Sequence, residues 1–118
     1  MSPAEIEAAV ARNNIDELLR LIHDLSESNL DVDLCITERT LRELGRHPMN
    51  WVRGNAIRSL GRLAYQTPRF GAPGQIFHIV VDGLRDPDTT VAYNADVAAC
   101  CIAYMHGWKF PDRPRRRG

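Results

Sequence analysis

Three cysteines are all that the 118-residue chain carries, and their spacing builds nothing. Cys35 stands alone, Cys100 and Cys101 are adjacent, and no CxxC pair occurs, which excludes a disulfide framework. All three are expected as free thiols, mostly buried. No apolar run approaches the roughly 20 residues of a membrane span. The N-terminal MSPAEIEAAV lacks the basic, then apolar, then small-residue order of a secretory signal. A cytoplasmic location without membrane contact is therefore expected. Chemistry is equally sparse. The four histidines, His23, His47, His78 and His106, form no HExxH, HxH or Cys/His cluster, and no GxSxG elbow exists. His23 beside Asp24 reads as a solvated pair, His47 as part of a turn, and His78, set among apolar residues, as a core or boundary histidine. No enzyme activity, metal or cofactor is expected.

Strand alternation is also missing, FHIVV being its nearest approach, whereas helical spacing is plentiful. Ser2, Pro3 and Glu5 form an N-cap, first-turn proline and capping-box set for a first helix. Ile15, Leu18, Leu19, Ile22 and Leu25 stripe a second, and Asn29 to Asp31 interrupts the pattern. A third helix is predicted from about Asp33 to Arg46, with Leu34, Ile36, Leu41 and Leu44 facing the core and His47-Pro48 stopping it. NWVRGNAIRSLGRLA is the fourth, ending near Gln66-Thr67-Pro68. The fifth spans Pro73 to Leu84, and the sixth runs from a cap at Asp88 or Thr89 through Met105. Trp108 and Phe110 are expected to fold back over the last helices.

HPMNWVRGNAIRSLGRLAY, starting at His47, overlays DPDTTVAYNADVAACCIAY, starting at Asp86, at a constant offset of 39 residues. Pro48 meets Pro87, Val52 meets Val91, Asn55-Ala56 meets Asn94-Ala95, and Ala64-Tyr65 meets Ala103-Tyr104. Paired helices with a period near 40 residues point to a stacked α-solenoid. Gly54 and Gly61 each cost about 1 kcal/mol of helix propensity against alanine, and close helix packing explains them. DPDTTVAYNA and HPMNWVRGNA resemble the DPDxxVRxxA centre of HEAT and PBS-lyase-type HEAT-like repeats. The resemblance implies an all-α fold, a short α-solenoid of about six helices. It further implies one domain over 1–110, with its best units at 33–66 and 73–106 and a basic disordered tail at 111–118. It makes Arg53 a brace between neighbouring turns, with Asp86 and Asp88 as turn aspartates. Ala92 stands where the next arginine would be.

Formal charge sums to zero yet is segregated. Residues 1–38 hold nine acids against Arg12 and Arg20, and residues 39–70 hold seven arginines against Glu43. Such polarity steers charged partners without naming them. Trp51, Asn55, Arg58, Arg62 and Tyr65 fall on one helix face at steps of 4, 3, 4 and 3. Trp, Tyr and Arg concentrate binding energy at interfaces, so this face is the candidate protein-binding surface. Thr90, Asn94, Val97, Cys101 and Tyr104 are the corresponding exposed-type positions one unit on. Small stand-alone HEAT-like proteins resemble bacterial immunity proteins that neutralise a secreted or contact-dependent toxin domain. That resemblance implies a protein partner, with Asp16, Glu17 and Asp24 facing a basic toxin. The alternatives are a general adaptor or regulatory scaffold and a nucleic-acid binder using Arg39, Arg42, Arg46, Arg53, Arg58, Arg62 and Arg69. Nucleic acid is disfavoured by the acidic N-terminal third.

Overall fold

Caps and prolines divide the chain into six helices: α1 Pro3–Arg12, α2 Ile15–Ser26, α3 Leu34–Leu44, α4 Asn50–Leu63, α5 Pro73–Leu84 and α6 Thr89–His106. The structure, a computed structural model, describes residues 1–27 and 33–111. The interruption expected at Asn29 to Asp31 and the tail from Asp112 onward lie outside these residues. Ser2 and Glu5 close the capping box of α1, and Asn14, Asp33 and Asp88 cap α2, α3 and α6 through their side chains. α4 stops at Leu63, one turn short of its expected end. Gln66 and Thr67 turn back to donate to the Leu63 carbonyl at 2.9 and 3.0 Å.

α4 is the hub, packing on α2, α3, α5 and α6, while α6 also packs on α5 and α1 on α2. The fold is an all-α bundle measuring 43 × 30 × 21 Å. Leu18, Ile22, Leu41, Leu44, Val52, Ile57, Leu60, Ile76, Val80, Val91 and Ile102 form its contiguous core. Two α4 glycines set the spacing to α6. A β-carbon on Gly61 would lie 2.6 Å from Ala98 Cα, and one on Gly54 would lie 3.1 Å from Asn94 Nδ2. Only hydrogen at these positions lets the two backbones approach so closely.

Several expectations need correction. Cys35 and Cys100 are exposed and Cys101 is half-buried. Cys35 sits in the first turn of α3, while the α6 cysteines lie on a flank of α6 that is not fully covered among the described residues. Leu34 is exposed for the same terminal reason, and Ile36 is half-buried. His78 is exposed, because α5 buries Ile76, Ile79 and Val80 and turns His78 outward. Asn94 is buried, drawn in where Gly54 lets α6 approach α4.

The connections are held by side chains from distant sequence. The buried Glu38 carboxylate accepts from the backbone N–H groups of Gly71 and Ala72 at 2.7 and 2.9 Å. It thereby caps α5, whose own N-cap, Ala72, has no side-chain acceptor. The C-terminal segment closes over the same end. Phe70 packs against His106 and Trp108, with ring centroids 4.9 and 5.5 Å away, and Phe77 stacks on Phe110 at 5.3 Å.

Candidate protein-binding surface

α4 must bury Val52, Ala56, Leu60 and Leu63, and helical geometry then turns the intervening stripe outward. Trp51, Asn55, Arg58, Arg62 and Tyr65 are all exposed, Trp51 by 66% and Tyr65 by 53%. Among the described residues, neither Arg58 nor Arg62 enters an ion pair. Asn55 is engaged locally, its Nδ2 donating to the Trp51 carbonyl at 2.7 Å. Arg58, Arg62 and Asn55 form one wall of a shallow groove of about 210 Å³, with Leu19, Ile22, His23 and Ser26 of α2 as the other. A 2.7 Å hydrogen bond between the Ser26 and Ser59 hydroxyls ties the two helices across its floor.

The stripe continues onto α6 at its C-terminal end. The neighbouring Cys101 side chain raises the Tyr65 pKa above the ordinary phenol value. Tyr104 adds to that effect and is itself 82% exposed. Tyr65 and Tyr104 are repeat equivalents, so the 39-residue offset carries the signal that places a second exposed aromatic here. The exposure of Tyr93 and Met105 had no such signal, because α6 is only weakly amphipathic and its periodicity does not distinguish them.

Two of the three acidic candidates, Glu17 and Asp24, lie on a different flank. Asp16 is exposed, whereas Glu17 is held by Arg12 through two hydrogen bonds of 2.9 Å. That pairing raises the Arg12 pKa and lowers that of Glu17, with the hydrogen bond as the larger cause in each. Glu17 and Asp24 line a groove of about 300 Å³ between α1 and α2, together with Arg12 and Arg20. Their carboxylates thus lie among cations, on a different flank of α2 from His23 and Ser26.

Arg53 separates from the other arginines. Its Nε and Nη2 donate to Asp86 at 2.9 and 3.2 Å, and its Nη1 donates to the carbonyls of His47 and Pro48 at 3.0 Å. Asp88 accepts from Val91 N and from Asn50 Nδ2. The Val91 bond is the larger cause of its lowered pKa and the Asn50 bond the next. Arg39, Arg42 and Arg46 line a groove between α3 and α5, while Arg58 and Arg62 line the one between α2 and α4. The arginines therefore do not form one continuous stripe.

No group of three or more His, Cys, Asp or Glu side chains that could hold a metal ion occurs among the described residues. Among them, no helix is long and apolar enough to cross a membrane. No protein-family model matches the chain, and no curated protein or solved structure shows significant similarity to it. The class defined by fold and surface is a small all-α domain presenting an aromatic and arginine face.

Proposed function

We propose that the chain is a three-unit HEAT-type helical repeat that binds another protein through the outward face of α4. The partner, on the resemblance to immunity proteins, is a bacterial toxin domain that the chain neutralises. The repeat reading is supported by side-chain bonds that join residues about one repeat length apart. The separation is 33 for Ser26–Ser59, Arg42–Gln75 and Arg53–Asp86, 36 for Arg46–Asp82, 38 for Asn50–Asp88 and 42 for Ala64–His106, a range that brackets the 39-residue offset. Such spacing is what stacking one unit on the next produces, with each unit stabilised by its neighbours.

The observation that carries the binding reading is the exposure of Trp51 and Tyr65 around two arginines that enter no ion pair among the described residues. An aromatic ring left two-thirds in water contributes little to folding, whereas covering it on association contributes much. Arginine alongside adds a polar, planar contact suited to carboxylates and carbonyls. A general adaptor would use the same face, so only the partner separates the two readings. The test uses the wild-type chain and the Trp51→Ala, Arg58→Ala, Arg62→Ala triple variant as baits in source cells. One protein retained by the first and lost by the second, with equal thermal stability of the baits, supports the reading. Expression of that protein should arrest growth, and co-expression of the wild-type chain should restore it. Growth arrest that the wild-type chain cannot relieve counts against the toxin assignment, and equal retention by both baits counts against the face.

A further inference from the structure

Two arginines of α3 and one from the turn after it stand apart from the α4 surface and share no residue with it. Arg39 and Arg42 of α3, with Arg46 just past its end, line a groove of about 510 Å³. Gln75, His78 and Ile79 of α5 form the opposite wall, and Glu43 also borders the groove. From the geometry we infer that this groove docks an acidic polypeptide segment of a partner protein.

The lining sets the ligand's chemistry. Ile79 is the one apolar residue in it, and the aliphatic stems of the surrounding charged and polar side chains supply the rest of its apolar surface. The cations are incompletely satisfied. Arg39 approaches Glu7 only at 3.9 Å, and both side chains are largely exposed. Arg42 Nη1 donates to Gln75 at 2.8 Å, while its buried Nε makes no hydrogen bond and lies 3.4 Å from Glu38 Oε2. Arg46 is ion-paired with Asp82 through Nη1, and its side chain is half-exposed. The exposed N–H groups of Arg39 and Arg46 match carboxylates arriving from outside.

A nucleic acid presents the same sign of charge but fits less well. Three arginines make a short patch beside the six to ten phosphate contacts of typical DNA binders. Glu43 interrupts it, and a DNA backbone has no donor to offer that carboxylate. A polypeptide does, because its backbone N–H groups alternate with its acidic side chains. An apolar residue of the same segment would rest on Ile79. One chain can thus answer every lining group.

The probe is a fluorescein-labelled six-residue peptide of glutamate and leucine, titrated with the full chain at about 20 mM salt, where surface charge is weakly screened. Anisotropy should rise with wild-type protein, and the Arg39→Ala, Arg46→Ala double variant should weaken binding about fivefold, as loss of two exposed ionic contacts predicts. His78→Glu, which adds repulsion at an exposed position, should weaken it as well. The Arg58→Ala, Arg62→Ala variant should bind like wild type, and amide resonances of Gln75 and His78 should shift on titration. No binding at low salt, equal weakening by the α4 variant, or tighter capture of a labelled single-stranded oligonucleotide at the same resonances would each overturn the inference.

Discussion

Alanine at Gly61 probes how closely α4 and α6 are stacked. Its β-carbon would sit 2.6 Å from Ala98 Cα and 3.0 Å from Ala98 Cβ. Carbon atoms pack at about 3.5–4.0 Å, so one helix must retreat by roughly 1 Å. Because the nearer atom is backbone, no rotamer change relieves the contact. Overpacking of this kind costs about 1–3 kcal/mol, and displacing two whole helices puts Gly61→Ala near the upper end. The exchange returns about 1 kcal/mol of helix propensity, so the net loss is about 2 kcal/mol. At this chain length 1 kcal/mol corresponds to about 4 °C, so Tm should fall by about 8 °C in a calorimetric or circular-dichroism melt. Gly74 supplies the control, since a β-carbon there meets nothing within 4 Å. Gly74→Ala should leave Tm unchanged or raise it. A Gly61→Ala protein melting at or above wild type would refute the close-stacking argument.

Glu38→Ala should cost about 3 kcal/mol in urea unfolding, because two N–H groups lose a charged acceptor, and Glu38→Gln should cost about half that. Asp88 makes a pH prediction. Its folded pKa lies below its ordinary value, so its contribution is complete above the unfolded carboxylate value and is lost as pH falls through the folded one. The stability advantage of wild type over Asp88→Asn should therefore be constant near neutrality and shrink below about pH 4; an advantage that grows on acidification would contradict it. Replacing Trp108 and Phe110 together by alanine should uncover Phe70 and Phe77, cost about 3 kcal/mol and lower Tm by about 12 °C. An unchanged melt would show that these rings do not brace the C-terminal end.

Local signals made much of the fold legible. Ser2, Pro3 and Glu5 announced α1, the prolines at 48 and 87 announced the turns, and the predicted bounds of α5 coincide with those observed. The outward stripe of α4 followed from helical periodicity alone. Glu38 escaped because a carboxylate in mid-helix looks solvated, and the N–H groups it serves lie 33 and 34 residues away. Asn94 was misplaced for a related reason, since it sits where α6 meets α4 at Gly54, a residue 40 positions away. His78 was misplaced because its neighbours in sequence are apolar, whereas the helical turn that buries Ile76, Ile79 and Val80 points it outward. The cysteines of α6 were misplaced because the helix is only weakly amphipathic, which gives little hint of which flank lacks a neighbour.

The central claim is that the α4 face binds a protein. Its most direct test is isothermal titration of the captured partner with the wild-type chain and with the Trp51→Ala, Arg58→Ala, Arg62→Ala variant. A central aromatic anchor alone is worth about 2 kcal/mol or more, so the variant should bind at least about 30-fold more weakly. An unchanged affinity in a variant that melts like wild type would contradict the assignment of that face.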